Sequence, residues 1–80
     1  MSELLEKAQA QVAAGEYRQA TRTLERVEVL ARYDINEARG LLELATQIRD
    51  KGGRRLHKEC DWLIFKAQGI IRAYEEQLVH

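Results

Sequence analysis

The chain reads as all-α: a small antiparallel bundle of about four helices, with the longest helix at the C-terminus. Three observations predict this. The 80 residues contain no proline, the five glycines stand only at Gly15, Gly40, Gly52, Gly53 and Gly69, and apolar residues recur every three or four positions with no strand-like alternation. A helical backbone is therefore permitted almost from end to end, and its breaks are few.

Each helix carries its own signal. Ser2 is placed to cap a first helix that runs to about Ala14, turns Leu5, Ala8 and Val12 inward, and ends at Gly15. A second helix, from about Glu16 to Arg32, aligns Tyr17, Ala20, Leu24, Val27 and Ala31 on one face and sets Arg18, Arg22 and Glu25 opposite. Asp34 stands three residues before Glu37, the capping-box spacing at which the two side chains satisfy each other's backbone donors, so a third helix starts there. It carries Ala38, Leu41, Leu44, Ala45 and Ile48 inward and stops at Gly52-Gly53, with Arg49 and Lys51 near the negative end of its dipole. The fourth helix, roughly Arg54 to Leu78, shows a seam of Leu56, Cys60, Leu63, Ala67, Ile70, Tyr74 and Leu78, widened on one side by Ile64 and Ile71.

Composition bounds the rest. Residues 1–80 make one domain, of a size at which only about 60% of the unfolded surface is buried. Thirteen basic and thirteen acidic residues balance, so no global field steers the chain toward nucleic acid or an acidic membrane, and little self-repulsion keeps copies apart. Cys60 is the only cysteine and has no internal disulfide partner, which fits a reducing compartment. The opening residues are charged too early for a secretory signal, and no apolar run approaches the roughly 20 residues of a membrane span, so the expected location is cytoplasmic.

Gly15, Tyr17, Ala20 and Leu24, preceded by Leu4 and Ala8 at a large and a small position of the first helix, resemble a single degenerate tetratricopeptide-repeat hairpin over residues 4–32. Val27 stands where that family has alanine and Arg32 where it has proline. One repeat length further on, Arg49, Lys51 and Arg54 occupy the glycine, aromatic and alanine positions, so the resemblance does not extend to a tandem array. It implies protein–protein recognition through the first helix's concave surface. An ordinary αα-hairpin that reuses the same turn chemistry accounts for these residues as well.

Trp62 and Phe65 lie off the fourth helix's seam, in line with Gly69 and edged by Lys58, Lys66, Arg72 and Glu76. Aromatic residues and arginine on an outer helical face have the composition of a binding hot spot, and glycine admits another backbone closely. The expectation is a non-enzymatic interaction module, adaptor or regulator that binds another protein or a second copy of itself as a homodimer. Its anchors are Trp62, Phe65 and Gly69, with Lys58 and Arg72 at the rim. The alternative for the aromatics is intrachain cover, by the first helix or the chain's tail. Lys51, Arg54, Arg55 and Lys58, with His57 among them, crowd the turn before the fourth helix and offer an alternative nucleic-acid contact. His57 and Cys60 share a helical face, but two ligands do not make a zinc site, and His80 is terminal. The reading is therefore no metal, no cofactor and no enzyme, with Cys60 a small core residue and His57 solvated.

Overall fold

The computed structural model describes residues 2–79; the expectation for His80 lies outside them. Four α-helices and one short 3-10 turn account for the fold, and among the described residues there is no strand. They are α1 (Glu3–Ala13), α2 (Tyr17–Ala31), α3 (Ile35–Lys51) and α4 (His57–Val79), with the 3-10 turn Arg54–Leu56 leading into α4.

The ends of the helices follow from their chemistry. Ser2 Oγ accepts from the Leu5 amide at 3.1 Å, as an N-cap should. At the other end of α1, Gly15 takes φ +77°, its amide donates to Val12 O at 3.0 Å, and the Glu16 amide donates to Gln11 O at 2.9 Å. These are the two bonds of a Schellman ending, which requires a left-handed residue and explains the glycine.

The start of α3 departs from expectation. Asp34 does cap, its Oδ1 accepting from the Asn36 amide at 2.9 Å, but Glu37 does not return to complete the box. The Glu37 carboxylate instead reaches the beginning of α1, where Oε1 accepts from the Ser2 amide at 2.7 Å and Oε2 from Ser2 Oγ at 2.9 Å. Two donors on a neighbouring helix hold the carboxylate in a buried position, and an exposed local cap has become a tertiary clasp.

Packing follows chain order. α1 lies on α2 and α3, and α4 lies on α3 and α2. Leu5, Ala8 and Val12 of α1 meet Ala20, Leu24, Val27 and Ala31 of α2; Ala38, Leu41, Leu44, Ala45 and Ile48 of α3 and Cys60, Leu63 and Ala67 of α4 complete a single core. Alanines at the contacts let the helix axes approach. Gly40 serves the same end: a Cβ there would fall on the buried Leu5 side chain, 3.1 Å from Cδ1 and 3.2 Å from Cγ. Between α3 and α4, Arg49 and Asp61 form an ion pair, and Arg49 O and His57 Nε2 are 3.1 Å apart. His57 is therefore half-buried against the end of α3, which corrects the expectation of a solvated side chain.

The fourth seam is only partly core. Cys60, Leu63 and Ala67 are fully buried, Leu56, Ile64, Ile70 and Ile71 pack half-buried at its edges, and Tyr74 (38%) and Leu78 (68%) are exposed. The cause is length. α4 has 23 residues against 15 in α2, about 35 Å against about 23 Å, so its last turns outrun the helices they would pack on.

Candidate aromatic interface on α4

The outer face of α4 is set by helical geometry. At about 100° per residue, positions 58, 62, 65, 69, 72 and 76 fall within about 80° of arc, roughly opposite Cys60, Leu63 and Ala67. All six are exposed, Trp62 at 46% and Phe65 at 70%. α1 packs on α2 and α3, and α4 runs on as helix through Val79, so among the described residues neither folds back over the aromatics. Lys66 Nζ sits 5.7 Å from the centroid of the Trp62 ring, a cation–π contact that steadies both side chains at the surface.

Beside this strip runs the groove between α2 and α4. Near the start of α4, Glu25, Lys58, Glu59 and Trp62 border a cleft of about 480 Å³. Further along, Phe65, Lys66, Gly69 and Ala73 face Glu28 and Arg32 across one of about 470 Å³. At the α2–α3 turn, Arg32, Tyr33, Asp34, Ile70 and Tyr74 border a third, also about 470 Å³. Sequence reasoning missed what α2 contributes. Glu28 is 3% exposed, and Arg32 holds it from Nε at 3.2 Å and from Nη2 at 3.0 and 3.1 Å. The i, i+4 spacing of an acid and a base was the available signal. Val29 on α2 and Tyr33 in the α2–α3 turn add exposed apolar surface.

The basic turn is a separate feature. Lys51, Arg54, Arg55 and Lys58 are exposed, and Arg55 borders a cleft with Tyr17 and Arg18 at the α1–α2 turn. Lys58 belongs with the aromatic strip, sharing the Trp62 cleft. The structure thus brings Lys58, Trp62, Phe65, Gly69 and Arg72 onto one face and leaves Lys51, Arg54 and Arg55 at the end of the bundle.

Cys60 is buried at the α2–α4 contact. Burial pushes its thiol pKa up, with Glu59 and Asp61 adding to the shift and the Thr21 hydroxyl and Arg49 opposing it. A protonated thiol without access to solvent is a packing group rather than a nucleophile. No cluster of three or more His, Cys, Asp or Glu side chains able to hold a metal occurs among the described residues, and none of their helices is long and apolar enough to cross a membrane. Compared with protein-family models, curated proteins and solved structures, the chain matches none.

Proposed function

We propose that this chain is a non-enzymatic protein-interaction module that recognises its partner through the outer face of α4, with Trp62 and Phe65 as anchors and Lys58 and Arg72 at the rim. The observation that carries the reading is that two large aromatic side chains stand in solvent on a helix whose core face is already filled. Exposed aromatics flanked by cations have the composition of interface centres, where one buried Trp dominates affinity. The tetratricopeptide-like hairpin at residues 4–32 agrees in kind, since that family's role is protein recognition. The burial of Cys60, the one cysteine, with its thiol pKa raised, favours binding over cysteine-based catalysis.

A photo-crosslinking residue placed at position 65 in cells tests this, with one at Arg39, exposed on α3, as the control. A discrete protein adduct from position 65 and none from position 39 is the expected result. With the same residue placed at position 55, nucleic-acid adducts there and no protein adduct at position 65 would overturn the reading in favour of the basic turn.

A further inference from the structure

The outer strip of α4 has a property that its composition alone does not reveal. Its six positions, 58, 62, 65, 69, 72 and 76, are separated by 4, 3, 4, 3 and 4 residues, a spacing that reads the same in both directions and is centred on position 67. A helix with such a strip, laid antiparallel on a copy of itself with the two-fold axis crossing the outer face at the level of position 67, meets the same strip in layers. Lys58 then lies level with Glu76 of the second copy, Trp62 with Arg72 and Phe65 with Gly69, and each layer recurs on the other side of the axis.

Every one of these layers is complementary. Lys58 and Glu76 have opposite charge and are both exposed, so the pairs at the two ends of the strip attract. Trp62 receives a guanidinium on its face, the geometry of a cation–π contact. Phe65 is the largest outward apolar group near the axis, and Gly69 is the one position with no side chain to oppose it. A Cβ at Gly69 would meet nothing within 4 Å, so no close contact among the described residues requires a glycine there. In the interior of an exposed helix it costs about 0.5–1 kcal/mol relative to alanine. A large side chain arriving from another molecule accounts for it. Neighbouring registers lose part of this matching. A slide of one heptad in one direction pairs Phe65 with Trp62 but sets Arg72 level with Arg55 of the other copy, in the 3-10 turn, and in the other direction sets Phe65 against Glu76.

We infer that the partner of this face is a second copy of the chain, paired through α4 as an antiparallel two-fold dimer whose register is fixed by Lys58–Glu76, Trp62–Arg72 and Phe65–Gly69 layers. This rests on the protein-interaction reading above and names its occupant. Such an interface is isologous, each patch being its own complement, and needs no conformational change in the bundle because all six residues already face outward.

Charge variants test both the dimer and its register. Sedimentation equilibrium from low micromolar to near millimolar concentration should show a monomer–dimer equilibrium for the native chain. Lys58→Glu alone sets like charges together at both ends of the interface, as does Glu76→Lys alone, and each should weaken self-association about ten-fold. Mixing the two variants restores opposite charges at both ends, so the mixture should form a heterodimer close to native affinity. Trp62→Ser should weaken self-association by about thirty-fold or more while the far-ultraviolet spectrum stays helical. A native chain that is monomeric throughout overturns self-pairing. A dimer indifferent to the charge variants, or one not restored by mixing them, overturns the register. The two readings fail separately: a monomer that still gives a position-65 adduct with a different protein sinks only the dimer, and no protein adduct at all sinks both.

Discussion

Two glycines interrupt the interiors of long helices in this protein, and they do so for opposite reasons. Gly40 in α3 lacks a side chain because Leu5 of α1 occupies the space a Cβ would need; Gly69 in α4 has open space beside it. At Gly40 the cost of glycine in a helix is offset within the chain, by the close approach of α1 to α3. At Gly69 no contact among the described residues offsets it. The contrast separates the part of the sequence that specifies the bundle from the part that is free for another molecule.

The same substitution at both sites should therefore give very different results. Gly40→Val forces a branched side chain onto Leu5, which is 1% exposed and packed in the core, and should lower stability by about 2–3 kcal/mol in urea titrations. Gly69→Val places the same side chain in solvent and should leave monomer stability within about 0.5 kcal/mol of native. A Gly40→Val loss below about 1 kcal/mol would show that Leu5 swings aside and that the α1–α3 contact is looser than the structure indicates.

The clasp that brings Leu5 to Gly40 sharpens the comparison with a smaller effect. Glu37→Ala removes both acceptors from Ser2 and should cost about 1–2 kcal/mol. Ser2→Ala, which loses the α1 cap as well as one bond to Glu37, should cost about as much. Because the two residues share a hydrogen bond, the double variant should lose less than the sum of the single losses. Strict additivity would mean that Glu37 stabilises α3 locally, as a capping box would, and that the clasp is not formed in solution.

Much of this architecture was legible in the sequence, and the exceptions share a cause. The inward lines of α1, α2 and α3 came out buried except for Tyr17, which packs half-buried at the edge of the core, because a 3.6-residue period records which face of a helix is apolar. The roles of Glu37, Glu28 and His57 were not legible in that way. Glu37 finds its partner 35 residues away, and periodicity says nothing about which helices meet. Tyr74 and Leu78 were read as seam and are exposed because a seam predicts a face without predicting how far its neighbours extend. The outer strip of α4 was legible as an angle, since Trp62 and Phe65 lie away from Cys60 and Leu63. What separated a covered strip from an open one was the placement of α1 on α2 and α3, a tertiary fact.

The smallest expected effect discriminates most sharply between uses of Gly69. Gly69→Ala adds one methyl group to an exposed, mid-helix position where nothing lies within 4 Å. Taken alone, that change lowers the backbone entropy of the unfolded chain and raises helix propensity, so the dilute protein should gain about 0.5–1 kcal/mol. In the antiparallel pair the same methyl group enters the gap that Phe65 of the second copy fills, twice per dimer, and self-association should weaken. The two readouts thus move in opposite directions, which neither simpler account of the glycine produces. A glycine needed by its own chain would make the alanine variant less stable when dilute, and a glycine with no role would leave association unchanged. A more stable chain that dimerises less well is the outcome required if Gly69 is kept for another molecule.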